Sequence, residues 1–157
     1  MSQQVISIEV ENKPGILTKI SALFSRRGFS IVSLSVGTTH KEGISRFTIV
    51  TEGNEETMEQ IRKQSQKLIN VLKTDRHNKI DSILREFTIL KLEINDNNRS
   101  EVNHIIDFFG GRLLSLKRDN VIVEFSGSDD KINSIFSELK NVRIIESIRT
   151  GKVGMKT

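Results

Sequence analysis

Residues 10–31 read VENKPGILTKISALFSRRGFSI. Ahead of this stretch, and running into it, Ile6, Ile8 and Val10 alternate with polar residues, as they do in a half-buried strand. The alternation ends at Glu11-Asn12-Lys13-Pro14-Gly15. At once the spacing changes: Ile16, Leu17, Ile20, Leu23 and Phe24 form a single apolar stripe at helical period. Gly28, after Arg26-Arg27, stands where a helix end favours a residue tolerant of positive φ. A strand handing over to a one-sided helix is the first half of a layered unit, and the following residues complete it. Phe29 to Val36 reads as a strand, 37–43 as a polar hairpin loop and Ile44 to Thr51 as the returning strand. Asn54 is placed to cap a second helix bearing Met58, Ile61, Leu68 and Leu72, and Val71 to Thr74 reads as a short closing strand. The order is βαββαβ.

DRHNKIDS, residues 75–82, is polar and reads as a linker, after which the same order returns. Glu86 to Ile94 is a strand, and Asn95 to Arg99 a turn. A helical stripe of Val102, Ile105, Ile106 and Phe109 closes at Gly110-Gly111. Arg112 to Leu116 and Val121 to Phe125 make a hairpin. Ser128 opens a helix carrying Ile132, Ile135, Phe136 and Leu139, and Val142 to Ile148 ends the pattern. LFSRRGFSIVSL (23–34) is echoed by DFFGGRLLSL (107–116). The expected fold is α+β, two tandem ferredoxin-like βαββαβ domains spanning 1–75 and 84–157 with a linker at 76–83. Helices would cover one face of each four-stranded sheet. The other face and the strand edges would need a cover, so a homodimer is expected.

Composition narrows the function classes. The 157 residues include no cysteine, which removes disulfides, zinc–thiolate sites and cysteine nucleophiles. MSQQVISIEV lacks the basic start and apolar core of a signal peptide, and no apolar run approaches the ~20 residues of a membrane span. A cytoplasmic protein with no membrane association is expected. Net charge is +4, but basic and acidic residues are interspersed, and there is no Trp or Tyr for stacking on bases. The strand GISRFTIV (43–50) holds one aromatic where an RNA-recognition strand would hold several. Nucleic acid is therefore not an expected partner. His40, His77 and His104 lie far apart with no second ligand at metal spacing, and are read as surface or helix-flank residues. Asp129-Asp130 suits the first turn of a helix, and the lone glycine pair at 110–111 suits helix termination. No nucleophile elbow, Walker loop or GxGxxG is present, and no catalytic residue is expected.

What remains is the loop at 11–15. A helix starting near Pro14 or Gly15 exposes its first N–H groups at the positive end of its dipole, an arrangement that binds carboxylates. Proline at the first turn has no donor to lose, glycine admits close approach to the backbone, and Asn12 both donates and accepts. The same residues also make an ordinary tight turn, and their physics alone leaves both readings open.

Beyond the loop, VENKPGILTKISALFSRRGFSIVSLSVG (10–37) resembles the first half of an ACT domain, the amino-acid-sensing module. GISRFTIVTEG (43–53), EQIRKQSQKLINVLK (59–73), REFTILKLEI (85–94), EFSGSDDKINSIF (124–136) and ESIRTGKVGM (146–155) extend the likeness along nearly the whole chain. Together they resemble the regulatory (small) subunit family of acetolactate synthase. The resemblance implies a non-catalytic chain that binds no cofactor itself. Its partner would be a catalytic large subunit carrying thiamine diphosphate, Mg2+ and FAD. The chain would raise that partner's activity and make it sensitive to valine or another branched-chain amino acid. A free-standing ACT-type regulator of transcription or of a different enzyme is the alternative. The resemblance also implies an effector site between the ACT domains of two subunits, with Asn12, Pro14, Gly15, Ile16 and Leu17 on one wall and Ser30, Ile31 and Val32 on the other. Backbone N–H groups around 15–17 would take the carboxylate, Asn12 and facing carbonyls the ammonium, and Ile31 the aliphatic chain. The family's usual R-R-G-(F/Y)-N-I-E-S-L is here RRGFSIVSL, so Ser30 replaces an Asn and Val32 a Glu. One hydrogen bond fewer, at about 0.5–1.5 kcal/mol, implies several-fold weaker effector binding.

Overall fold

The structure, a computed structural model, describes residues 3–78 and 80–157; Met1, Ser2 and Lys79, the last inside the expected linker, lie outside the described residues. The chain divides into two compact units. One runs through Leu84 and includes the tail Gly151–Thr157; the other is Arg85–Thr150.

In the first unit β1 (Gln3–Glu11), α1 (Ile16–Arg26), β2 (Ile31–Thr38), β3 (Ile44–Glu52), α2 (Glu55–Ser65) and β4 (Val71–His77) follow in chain order. The sheet is antiparallel in the order β2-β3-β1-β4, as the repeated βαββαβ pattern requires. Its helix-facing side carries Ile6, Ile8, Val10, Phe47 and Ile49. These close over Ile16, Ile20 and Phe24 of α1 and Met58 and Ile61 of α2. Asn54 caps α2 as its type suggests, its side chain accepting from Thr57 N at 2.9 Å. The expected stripe runs past the helix end: α2 stops at Ser65, and Leu72, in β4, is exposed.

The second unit holds most of β5 (Ser82–Glu93), then α3 (Arg99–Phe108), β6 (Arg112–Leu116), β7 (Asn120–Gly127), α4 (Asp129–Glu138) with a 3-10 turn at Leu139–Asn141, and β8 (Ile144–Arg149). Its strand order is β6-β7-β5-β8. Leu90, Leu92, Val121, Val123 and Phe125 pack on Val102, Ile106, Ile132 and Ile135. Ser128 caps α4 through Lys131 N at 3.2 Å, with Asp129 and Asp130 in the first turn.

Three sequence expectations need correction. The linker expected at 76–83 is strand at both of its ends. Asp75, Arg76 and His77 pair with Ser7, Ile6 and Val5, and β5 begins at Ser82. The tail was expected with the second domain. A ninth strand, β9 (Val153–Lys156), instead pairs with β5 at its beginning, where Thr157 N donates to Asp81 O at 3.0 Å, and it groups with the first unit. Finally, the side of the first sheet away from the helices is not open. Val5, Ser7, Thr48 and Val50 on that side are each at most 4% exposed. The tail crosses there: Gly151 lies against Ser33, Lys152 Nζ bonds Gln3 Oε1 at 3.4 Å, and Gly154 O accepts from Arg46. Among the described residues no helix is long and apolar enough to cross a membrane.

Candidate functional site

The loop at the end of β1 differs in detail from a helix with proline in its first turn. Pro14 lies in the turn before α1, Gly15 is the N-cap at φ 81°, and Ile16 is the first helical residue. A positive φ there is why glycine is needed, since a Cβ would meet no atom within 4 Å but would strain the backbone. Asn12 N donates to Gly43 O at 2.7 Å, tying the loop to the start of β3, while the Asn12 side chain stays exposed. Ile16 N turns back to Lys13 O at 3.2 Å. No side chain caps α1, and its first turn has no acidic residue; α2, α3 and α4 each have at least one. The positive end of the α1 dipole is thus not complemented by the helix's own acids.

Basic groups that the sequence patterns did not single out flank this end. Lys13 pairs with Glu11 at 2.7 Å, and Asn70 joins Glu11 (3.0 Å) to Lys19 (3.2 Å). The hydrogen bond from Lys13, followed by that from Asn70, holds the Glu11 carboxyl below its ordinary range. The corresponding loop in the second unit closes on itself. Asn95 Oδ1 accepts from Asn97 N and Asn98 N at 3.0 and 3.1 Å, and Asn98 Oδ1 accepts from Asn95 N at 2.8 Å.

Of the candidate residues, Ile16 is buried in the core and Leu17 is 48% exposed, so Leu17 leaves the apolar stripe and faces outward. Ser30 is exposed, and its carbonyl accepts from Thr51 Oγ1 at 2.5 Å. Ile31 packs partly on its own core, and Val32 is 45% exposed where the β2–β3 register shifts between Ile31 and Ser33. Such a bulge re-aims neighbouring side chains, here at the edge of the sheet. A depression of about 530 Å3 lined by Arg27, Gly28, Phe29, Glu52, Gly53, Asn54 and Thr57 lies beside this segment.

The chain does not bring the two groups of residues together. Ile31 pairs with Thr51, which pairs with Gln4, whereas the loop begins after Glu11 at the other end of β1. Seven residues of strand separate the two levels, roughly 23 Å at 3.3 Å per residue. Among the described residues no cluster of three or more His, Cys, Asp or Glu is placed to hold a metal ion.

The βαββαβ order of each unit is ferredoxin-like, and a family match over the first makes the class that of an ACT-domain protein. Residues 6–73 match the family described as "AHAS small subunit-like ACT domain", and residues 85–157 match "Small subunit of acetolactate synthase". The chain belongs to the acetolactate synthase small-subunit family. A protein of Archaeoglobus fulgidus named "Probable acetolactate synthase small subunit" is 38% identical, covering 98% of this chain and 96% of that one. The acetolactate synthase small subunit of Aquifex aeolicus is 36% identical over 98% of this chain and 81% of its own. The crystal structure of the small subunit from Thermotoga maritima superposes with a TM-score of 0.94 at 32% identity, covering 100% of this chain and 98% of that one.

Proposed function

We propose that this chain is the non-catalytic regulatory subunit of an acetolactate synthase. It pairs with a second copy through the ACT domains and binds a branched-chain amino acid, valine first among them, between the two. It activates a catalytic large subunit that holds thiamine diphosphate, Mg2+ and FAD in the cytoplasm, and makes that subunit subject to feedback inhibition. The second unit serves contact with the partner or support of the dimer.

The observation that carries the effector site is the α1 N-terminus, which has neither side-chain cap nor acid. An amino-acid carboxylate fits there, bound by backbone N–H groups and favoured by the dipole. Strand order supports the second wall. β2 is an edge strand of its sheet, with Val32 and Val36 exposed along it. Antiparallel pairing of two such edges reverses their ends. The Ser30–Val32 end of one copy then lies at the same level as the partner's loop at the end of β1. The separation found within one chain is what a site shared between two copies requires. A ligand as small as valine gains from this closure, since enclosure raises the contacts made per atom. Feedback needs a coupling of only ~1–3 kcal/mol between effector-bound and active arrangements, which a shift in the relation of the two ACT domains supplies.

Mixing the chain with its cognate thiamine-diphosphate subunit tests the proposal. Co-elution of the two and a rise in acetolactate formation that valine reverses are expected. Separate elution with an unchanged rate contradicts it and favours a free-standing ACT-type regulator.

A further inference from the structure

The tail across the first sheet lies over a buried histidine. His77, which the sequence suggested was a loop residue, sits in β4 at 3% exposure, and a Cβ built at Gly154 would lie 3.7 Å from its Cγ. The hydrogen bonds around it fix its state. Ser82 Oγ donates its single proton to Asp81 Oδ1 at 2.8 Å, so it must accept from His77 Nδ1–H at 3.0 Å. On the other side Ser7 Oγ accepts from Arg46 Nη2 at 3.0 Å and lies 2.8 Å from His77 Nε2. With a neutral ring, Ser7 O–H donates to Nε2. The bonds then run in one direction, Arg46 to Ser7 to His77 to Ser82 to Asp81. The same Arg46 Nη2 also donates to Gly154 O at 3.0 Å, and Nη1 pairs with Glu9 at 3.1 Å. Arg46 is therefore both the head of the chain and the clamp on the tail.

We propose that the C-terminal tail is a pH-gated strap on the first sheet, clamped while His77 is neutral and released when His77 takes a proton. A proton on Nε2 turns that nitrogen into a donor. Ser7 Oγ then accepts from both His77 and Arg46, and its own hydrogen loses its acceptor. A second cation also forms one hydroxyl away from the Arg46 guanidinium. The charged ring needs hydration, and lifting Gly154 off it admits water. The groups facing the ring are Arg46 on β3, Asp75 on β4, Asp81 in the following turn and Lys156 on β9. Burial, then Arg46, hold its pKa below the ordinary histidine value, against the smaller opposing pull of Asp75. A histidine lowered in the closed state costs nothing above pH ~6.5. It opposes closure increasingly as pH falls below that value, because the open form takes the proton more readily than the closed one.

Hydrogen–deuterium exchange of the 153–157 amides in the full chain, expressed as protection factors corrected for intrinsic pH dependence, tests this. From pH 7.5 to 5.5 protection should fall by up to about tenfold, the linkage limit for a ~6.5 open-state pKa. In His77→Gln, neutral throughout, the tail should keep the same protection at both pH values. In a His40→Asn/His104→Asn variant, which alters only the two other histidines, the fall should persist. PH-independent protection in the wild-type chain overturns the proposal, as does a fall that survives His77→Gln. If His77→Gln does not fold, the double variant decides: loss of the fall there assigns it elsewhere and overturns the proposal.

Discussion

Replacing Gly15 by aspartate is expected to abolish binding of a branched-chain amino acid and the inhibition it causes, while the activation of the catalytic subunit persists. Two effects act at this position. Gly15 has φ 81°, where a side chain costs ~1–2 kcal/mol for most residues, less for Asp, whose short polar group tolerates the left-handed region. That cost is small beside the domain's stability, and nothing lies within 4 Å of a Cβ there, so the unit should fold. The second effect is electrostatic. A carboxylate added at the N-terminus of α1 occupies the positive end of the dipole and repels the ligand's carboxylate at the N–H groups meant to bind it. Gly15→Ala separates the two: it carries at least the same backbone strain and no charge. Titration calorimetry should therefore find binding lost in Gly15→Asp and weakened but measurable in Gly15→Ala. Full valine binding in Gly15→Asp would remove this loop from the site.

Phe24→Ala should give the largest stability loss among these variants. Phe24 is 1% exposed, packs edge-on against Phe29 with ring centroids 6.2 Å apart, and anchors the last turns of α1 to the sheet. Removing a buried phenyl ring costs ~3–5 kcal/mol through lost transfer free energy and the cavity left behind. A two-state domain has 5–15 kcal/mol in all. Denaturant melts should show a much lower midpoint for the transition of the first unit. The same variant should lose effector binding, since α1 carries the N-terminus proposed to bind the carboxylate and Phe29 leads into Ser30. An unchanged midpoint would mean that Phe24 is not part of the core.

Periodicity made the core of both units legible before any coordinates. Ile6, Ile8 and Val10 at period two, then Ile16, Ile20 and Phe24 at helical period, are the residues that meet in the first core. Caps were legible for a similar reason: Asn54 and Ser128 each precede a helix whose first turn is acidic. The misses share a physical cause. Asp75, Arg76 and His77 are polar and suggested a linker. A strand facing a polar cover, here Ser7 and Arg46, has no apolar alternation to display. The tail was missed as strand because VGMK is four residues long, and its strand character comes from pairing with β5 rather than from local pattern. In the candidate site, the loop was visible as Asn-Lys-Pro-Gly. Lys19 and Asn70 were not, because they meet only when β4 is laid beside β1.

Subunit complementation measures directly whether the two proposed walls of the effector site come from two copies of the chain. Gly15→Asp breaks the loop wall, and Ser30→Trp, at an exposed residue, breaks the facing wall. Each variant alone should show no valine binding by calorimetry. Refolded or exchanged together in equal amounts, half of the dimers pair one variant with the other. Each such dimer has one site with both walls intact, so about a quarter of the wild-type sites should return. If mixing restores no sites although the dimers exchange, each chain holds its effector alone, and the shared site is wrong.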